Sequence, residues 1–288
     1  MARIADFVAL ARPKHWTKNA FVLMPLPFSL AAGARLDPAL FLAGFVGIGL
    51  ASSAVYAFND AQDAARDRVH PDKSGRPVAA GRVSPTAARA FAAGLLVTAL
   101  ALVGVSGHAP ALGILGVYLV MNLAYSLGAK HVPLLDVFLL ASGYVLRVLL
   151  GCSLIGVRPS NWLLLCSSAL ALFLSLVKRR SDLGRGLGTA SRPSLAGYSL
   201  AFLDLAIGVS ASMTIVAYAL YCMEAPVLVP GREFASLPFV LFGVLDYLRV
   251  SMLSDRGGSP VELIWSSPAL AGCAIGWIGS TVWSVGLF

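Results

Sequence analysis

The sequence predicts an all-α integral membrane protein with nine transmembrane helices and a polar site at one membrane surface. Hydrophobic residues make up 58% of the 288 positions and charged residues 12%, and the mean hydropathy is +0.79, whereas about a quarter of the residues in a soluble domain are charged. Apolar segments of roughly 20 residues, enough to span a bilayer, recur along the chain. Lys and Arg gather on one side of these segments. We therefore expect residues 1–288 to form a single transmembrane domain.

The predicted elements begin with a short helix over residues 1–12 that lies along the membrane interface. This stretch lacks the long apolar core and cleavage site of a signal peptide. Nine apolar segments follow, each about as long as a bilayer is thick. They lie near residues 19–34, 39–59, 86–106, 110–128, 133–151, 161–178, 200–222, 234–252 and 267–287.

The distribution of basic residues predicts the orientation of these spans. With the N-terminus in the cytoplasm, 18 of the 22 Lys and Arg residues lie on the cytoplasmic side and three on the opposite side, while Arg147 falls inside the fifth span. This bias is typical of multi-pass proteins of the inner (plasma) membrane. It places the long loops at 60–86 and 179–199, and a polar active site, on the cytoplasmic face. The same topology explains the net charge of +8, so no nucleic-acid partner is expected.

A cluster of acidic residues follows the second span. If the helix continues through this stretch, Asp60, Asp63 and Asp67 stand at i, i+3 and i+7 and share one face, with Asn59 beside them. Three neighbouring carboxylates repel one another, and Mg²⁺ would remove that repulsion because it prefers oxygen ligands, usually one or two carboxylates with water and phosphate oxygens. The cluster therefore predicts a magnesium-diphosphate site. The alternative is a solvated helix end whose acids are neutralised by neighbouring arginines.

Further motifs surround this cluster and carry a family resemblance. The cluster has the form NDxxDxxxD, and the motifs around it are RPKHWTKN at 12–19, HPDK at 70–73, RPVAAG at 76–81, YSLGAKH at 125–131, Asp136-Val137 with Tyr144 and Arg147, KRR at 178–180 and Tyr198-Ser199. Together they resemble the UbiA superfamily of intramembrane prenyltransferases and, within it, the decaprenyl-phosphate phosphoribosyltransferase branch. The likeness covers most of the chain and implies a UbiA-like bundle.

One departure from ordinary UbiA prenyltransferases is informative. Their second motif usually holds a DxxxD pair, whereas Asp136 is followed four residues later by Leu140. The phosphoribosyltransferase branch has the same single aspartate. The resemblance therefore implies an enzyme in which the phosphate of a polyprenyl (decaprenyl) phosphate displaces pyrophosphate from phosphoribosyl pyrophosphate. The product would serve synthesis of cell-envelope arabinan, such as arabinogalactan.

The resemblance also implies roles for individual residues. The predicted metal ligands are Asn59, Asp60, Asp63 and Asp67, with ribose hydroxyls as an alternative ligand of Asp67. The predicted catalytic residues are Asp60, Asp63, Lys73, Tyr125 and Lys130. Further substrate-binding residues are Arg68, Asp136, Lys178 and Arg179, and Asp136 could instead orient Lys130 or contact magnesium through water. His70 could contact phosphate.

The predicted site for the lipid phosphate lies near the N-terminus. Lys14 and Lys18 bracket Trp16 at the interface, which suits a phosphate whose chain enters the bilayer; simple membrane anchoring is the alternative. Arg147, at membrane depth, is interpreted as a structural partner of a polar group. Membrane lipids are expected partners, and small residues on many spans permit a homo-oligomer.

Two other functions compete with the transferase. A UbiA-type aromatic prenyltransferase using a prenyl diphosphate predicts a second acidic pair at 136 and 140, where the sequence has Leu140. A transporter or channel predicts ionisable residues near the midplane of several spans, whereas here they gather at one surface. The four cysteines are scattered singly and show no metal-ligand spacing.

Overall fold

The structure is a computed structural model that describes residues 3–69, 72–186, 193–253 and 267–287. Within these ranges every regular element is helical. Short 3₁₀ helices occupy Pro13–Asn19, Ala129–His131 and Pro193–Gly197. The α-helices are α1 Ile4–Ala11, α2 Ala20–Leu23, α3 Leu26–Ala31, α4 Pro38–Gln62, α5 Ala64–Arg68, α6 Pro85–Val105, α7 Ala109–Leu127, α8 Leu135–Ile155, α9 Asn161–Gly184, α10 Leu200–Glu224, α11 Leu237–Leu253 and α12 Pro268–Ser284.

Six of these helices, α4 and α6–α10, are long and apolar enough to cross a membrane. They confirm the second to seventh predicted spans. The predicted count of nine is not confirmed in the described residues. The first predicted span is broken into a 3₁₀ turn, α2 and α3, because Pro25 cannot continue a regular helix, and Pro27 lies in the first turn of α3. The last two predicted spans are helices of 17 residues, about 26 Å long at 1.5 Å per residue, slightly less than the hydrocarbon core.

The helix starts follow from local sequence. Asp37 Oδ1 accepts hydrogen bonds from the backbone N–H groups of Ala39 (2.9 Å) and Leu40 (3.1 Å) at the start of α4. Such caps satisfy N–H groups that have no partner within the helix. Serine hydroxyls do the same for four other helices, and these are Ser84 for α6, Ser160 for α9, Ser199 for α10 and Ser267 for α12.

The helices pack into two groups that share α8. One buried cluster joins α2, α4, α6, α7 and α8, and a second joins α8 to α9, α10, α11 and α12. Side chains at the end of α4, the end of α7 and the segment before α8 contact one another. This end of the bundle, which we call the acidic end, therefore brings together the motifs around residues 60 and 130, and Arg179 adjoins it through Asp136.

The acidic stretch is not one continuous helix. α4 ends at Gln62, and Asp63, at φ −93° and ψ 7°, separates it from α5. Two backbone bonds still follow the helical pattern, from the N–H of Asp63 to the carbonyl of Asn59 (2.8 Å) and from the N–H of Asp67 to the carbonyl of Asp63 (2.9 Å). The break corrects the expectation of one uninterrupted helix, because Asp63 separates α4, which carries Asp60, from α5, which carries Asp67.

The segment after α1 lies against α4. Arg12 adopts a left-handed conformation, φ 52°, that turns the chain into the 3₁₀ helix. Trp16 Nε1 donates to Ser53 Oγ (3.0 Å), and Ser53 Oγ donates to the carbonyl of Ala11 (2.6 Å). Gly49 is required beneath this indole, because an added Cβ would lie 2.9 Å from the ring. The segment is thereby held with its charged side chains along α4. The location of α1 at a membrane interface stays a prediction.

Candidate active site

Two buried carboxylates share one arginine at the acidic end. Asp60 is 2% exposed and Asp67 is 4% exposed. Arg76 Nη1 donates to Asp60 Oδ1 at 3.0 Å and to Asp67 Oδ2 at 2.7 Å. Arg12 Nη2 adds a 2.5 Å bond to Asp60 Oδ1, and Lys73 Nζ lies 4.0 Å from Asp67 Oδ1. The geometry thus places both carboxylates around a common positive group, which limits their mutual repulsion.

The connection between α7 and α8 supplies a second cation. Lys130 Nζ donates to both carboxylate oxygens of Asp63, at 2.9 and 3.0 Å. Nearby, Ser126 Oγ donates to Asn59 Oδ1 at 2.5 Å. The structure therefore brings the two sequence motifs around residues 60 and 130 into direct contact.

The oxygen donors of this cluster suit a hard divalent cation. Two neighbouring carboxylates, Asp60 and Asp67, surround a point that already holds the positive charge of Arg76, and Mg²⁺ is usually bound through one or two carboxylates together with phosphate oxygens and water. Asp63 instead faces Lys130. Within the described ranges no group of three or more His, Cys, Asp or Glu residues is arranged to hold a metal on its own. The residues therefore fit a metal that shares its coordination with a substrate, and the four-ligand assignment stays a prediction.

The two lysines near the N-terminus face different ways. Lys14 is exposed. Lys18 turns inward, and its Nζ lies 3.5 Å from the hydroxyl of Tyr56 and 6.0 Å from the centre of the Tyr144 ring. A cation over aromatic faces is stabilised by the ring quadrupole. Of the two predicted lipid-phosphate lysines, Lys18 therefore contacts the helices that carry Tyr56 and Tyr144, whereas Lys14 is exposed.

His15 belongs to the same segment and stays neutral. Its ring packs edge-on against Tyr56 at 5.2 Å. Burial, followed by the positive charges of Lys18 and Arg12, lowers its pKa from the usual 6.5 to about 3. Its Nδ1 is buried and has no hydrogen-bond partner among the described residues. An uncharged imidazole among cations offers a hydrogen bond without adding charge.

Asp136 and Arg179 lie in a buried network beside the site. Arg179 Nε donates to Asp136 Oδ2 at 2.6 Å, and both side chains are inaccessible to solvent. The hydroxyls of Ser194 (3.0 Å) and Tyr198 (2.7 Å) also donate to Asp136, and the Tyr198 oxygen accepts the N–H of Leu134 at 2.6 Å. This network ties the loop after α9 to the segment before α8. The two predicted substrate-binding residues thus already bind each other.

The remaining predicted residues occupy the surroundings. Arg68 Nε donates to the carbonyl of Ala79 at 3.2 Å, so it braces the loop after α5. Tyr125 interacts electrostatically with Arg179, and Lys178 interacts in the same way with His15, so both adjoin the site. His70 lies outside the described residues. Substrate roles for these side chains stay predictions.

Sequence reasoning missed three residues that organise the site. Arg12 and Arg76 make the shortest ion pairs with the acidic motif, yet their motifs were interpreted only as family markers. Both arginines precede a proline. The excess of Lys and Arg near the acidic motif was the sequence signal that some of them pair with its carboxylates. Tyr56 lies one turn before Asp60 on α4, in an otherwise apolar run. Its position on the helical face of Asp60 was the sequence signal that its side chain lies near the site.

A match to a protein-family model identifies the family of this chain. The model described as the UbiA prenyltransferase family matches residues 20–256. The chain belongs to the UbiA prenyltransferase family. Curated UbiA relatives cover nearly the whole chain: a decaprenyl-phosphate phosphoribosyltransferase of Corynebacterium glutamicum is 32% identical, with 98% of this chain and 87% of the relative aligned. A protein of the same name from Mycobacterium tuberculosis is 33% identical, with 96% and 93% aligned.

Solved UbiA structures share the fold. A UbiA homolog from Archaeoglobus fulgidus, bound to GPP and Mg²⁺, superimposes with a TM-score of 0.71 at 18% identity, over 98% of this chain and all of that one. The same homolog bound to Cd²⁺ gives a TM-score of 0.69 at 16% identity, over 97% of this chain and 99% of that one. The likeness establishes an all-helical UbiA fold for the multi-pass chain.

Proposed function

We propose that the protein transfers 5-phosphoribose from phosphoribosyl pyrophosphate to a polyprenyl phosphate, with release of pyrophosphate. The observation that carries the proposal is the 32–33% identity, over nearly the full chain, to two proteins named decaprenyl-phosphate phosphoribosyltransferase. The product would be a lipid-linked phosphoribose for arabinan synthesis in the cell envelope. The enzyme would act in the inner membrane, with the acidic end facing the cytoplasm, where phosphoribosyl pyrophosphate is available.

The geometry of the acidic end supports transfer from a diphosphate donor. Asp60, Asp67 and Asp63 alternate with Arg76 and Lys130, so the site offers both oxygen ligands and cationic donors to pyrophosphate. Bound Mg²⁺, held by Asp60 and Asp67 with substrate oxygens, would neutralise charge on the leaving pyrophosphate. Arginine and lysine donors held in place by these carboxylates would stabilise the same developing charge at little reorganisation cost.

The acceptor needs no general base. A phosphate monoester is largely a dianion near neutral pH, since its second pKa is about 6, and can attack the anomeric carbon directly. The protein must instead hold two anions together, one of which has its chain in the bilayer. Lys18, turned toward Tyr56 and Tyr144, is the cation placed for the lipid phosphate.

An aromatic prenyltransferase is the second candidate, because the fold also occurs in a homolog that was solved with GPP and Mg²⁺. Such an enzyme uses two acidic motifs to ionise a prenyl diphosphate. Here Asp136, the single acid of the second motif, is buried and bound by Arg179, Ser194 and Tyr198. That arrangement disfavours Asp136 as a second metal ligand and so favours the phosphoribosyl reaction.

The decisive experiment offers the purified protein both substrate pairs. With Mg²⁺, phosphoribosyl pyrophosphate and a polyprenyl phosphate, we expect release of pyrophosphate and a ribosylated lipid identified by mass spectrometry. Prenyl diphosphate with an aromatic acid should give no product; the reverse pattern would overturn the proposal. Asp60→Asn and Asp67→Asn should each abolish turnover while the protein stays folded, and an active double variant would refute the metal assignment. Asp6→Asn, which changes a half-buried acid paired with Arg82, is the control that should stay active.

A further inference from the structure

A buried arginine in α8 has only neutral hydrogen-bond partners. Arg147 is 4% exposed. Its guanidinium donates to Asn19 Oδ1 (3.0 Å), the carbonyl of Gly143 (2.6 Å), Ser52 Oγ (2.7 Å) and the hydroxyl of Tyr118 (3.3 Å). Within the described part of the chain no ion pair joins Arg147 to a carboxylate. The positive charge is therefore solvated by dipoles but not neutralised.

Such a charge is costly at membrane depth. A buried ion loses its hydration, and a nearby opposite charge is the usual compensation. The other buried arginine of the described residues, Arg179, has that compensation, since it contacts Asp136 and Asp182. The difference indicates that Arg147 is balanced by an anion that binds, not by a residue of the described chain.

Asn19 provides an independent sign of a missing ligand. Arginine only donates hydrogen bonds, so the contact with Arg147 Nε fixes the Asn19 oxygen toward the guanidinium and turns Nδ2 away. Asn19 is 1% exposed, and its Nδ2 is buried with no hydrogen-bond partner among the described residues. A buried amide donor without an acceptor costs about 1–3 kcal/mol, so this position calls for a bound acceptor.

Lys18 directs a second donor to the same place. Its Nζ lies near the rings of Tyr56 and Tyr144, and these two tyrosines are also among the ionisable side chains that interact most strongly with Arg147. Arg147 and Lys18 therefore interact with the same aromatic pair, and Asn19, which carries the unsatisfied amide donor, is bonded to Arg147 through its oxygen.

We propose that Lys18 and Asn19 form the phosphate subsite for the lipid acceptor, and that Arg147 is the positioning residue that makes this subsite positive. The inference rests on the proposed transfer to a polyprenyl phosphate. Ser52, which contacts Arg147, and Asp60 are eight residues apart on one face of α4, about 12 Å along the axis. The subsite thus lies beneath the carboxylates, where a lipid chain can enter apolar surroundings while its phosphate faces the sugar donor.

The chemistry recognised here is a phosphate monoester, which both substrates contain. Phosphoribosyl pyrophosphate carries one at its 5-position, so the experiment must separate the two sources. Kinetic constants for the lipid phosphate and for the sugar donor, measured independently, do so. A substitution in a subsite that binds only the lipid phosphate changes the KM for the lipid and leaves the KM for the sugar donor unchanged.

The most informative variant is Asn19→Asp. It is nearly isosteric and gives Arg147 a carboxylate partner, so the thermal stability should stay the same or rise. The new negative charge should repel the acceptor and raise the KM for the polyprenyl phosphate on the order of tenfold or more. The KM for phosphoribosyl pyrophosphate should change by less than about twofold, since its site lies at the carboxylates.

A pH profile separates the electrostatic role of Arg147 from a merely structural one. Positive charge lowers the second pKa of the bound phosphate below its usual value of about 6, so the acidic limb of kcat lies below that pH in the unmodified protein. Arg147→Gln should move this limb to higher pH. Ser52→Ala removes the hydrogen bonds to Arg147, Tyr118 and the carbonyl of Ile48 and keeps the charge, so it should lower stability without moving the limb.

A binding measurement keeps the test independent of turnover. Farnesyl phosphate should raise the unfolding temperature of the unmodified protein more than farnesol does, and Asn19→Asp should abolish that difference. The inference is overturned if Asn19→Asp leaves the lipid KM and the farnesyl phosphate effect unchanged, or if it raises the KM of the sugar donor instead. An unmodified protein that binds farnesyl phosphate but transfers no phosphoribose would refute the proposed function and leave the subsite standing.

Discussion

Replacing Arg76 tests how the buried carboxylates are balanced. Its Nη1 makes hydrogen bonds of 3.0 and 2.7 Å to Asp60 and Asp67, and each hydrogen bond to a charged group contributes about 1.5–3 kcal/mol. The Arg76 side chain is 29% exposed, and Asp60 keeps Arg12, so screening and the remaining partner reduce the loss. We expect Arg76→Gln to lower the free energy of unfolding by about 2 kcal/mol.

The same variant should respond more strongly to magnesium. Arg76 occupies the position between the two carboxylates, so its removal leaves a stronger site for a divalent cation. Thermal unfolding in nanodiscs, with and without Mg²⁺, measures the loss of stability and the stabilisation that Mg²⁺ gives. Arg82→Gln is the matched control, because it breaks an exposed arginine–aspartate pair and should change neither quantity. If Mg²⁺ stabilises Arg76→Gln no more than the unmodified protein, the assignment of these carboxylates to a metal is wrong.

Three further changes follow from the packing around the site. Tyr198→Phe removes the hydroxyl that links two segments of the acidic end and should cost about 1–3 kcal/mol of unfolding free energy in a denaturation experiment. Because the pKa of His15 falls from 6.5 to about 3 on folding, the unfolded chain binds a proton first and stability falls as the pH drops below 6.5; His15→Gln should lose less stability between pH 7 and pH 5. Gly49→Ala should displace Trp16 and cost about 1–3 kcal/mol, whereas Gly113→Ala, with open space around it, should be neutral.

The sequence predicts most of the helices because hydropathy and helix caps are local signals. The predicted segments near 86–106, 110–128 and 200–222 differ by only a few residues from α6, α7 and α10. The predicted first span is not one continuous helix, because mean hydropathy does not register Pro25, which separates α2 from α3. The predicted count of nine spans is not confirmed in the described residues, where six helices are long and apolar enough to cross a membrane, since composition alone does not measure the length of unbroken helix.

The sequence indicates which residues could share a site, but it does not specify their pairings. The acidic motif and Lys130 were both named, and their 2.9 Å contact depends on how α7 packs beside α4, which no local pattern specifies. The buried ion pair of Asp136 and Arg179 was not expected for the same reason, and substrate roles for both residues stay predictions. Burial of a charge depends on neighbours distant in sequence, so its partners become visible only in three dimensions.

The distribution of charge along α4 explains how one site could hold two anionic substrates. Asp60, Tyr56 and Ser52 follow one helical face, and their cationic partners are Arg12, Lys18 and Arg147 respectively. At the depth of Asp60 along α4, carboxylates offset the positive charge of the arginines. This arrangement suits a sugar diphosphate that binds together with a divalent cation. At the Ser52 level no carboxylate of the described residues does so, which suits a lipid phosphate that brings no metal. The sign of the local potential would then sort the two substrates by depth, with the attacking phosphate below and the leaving pyrophosphate above.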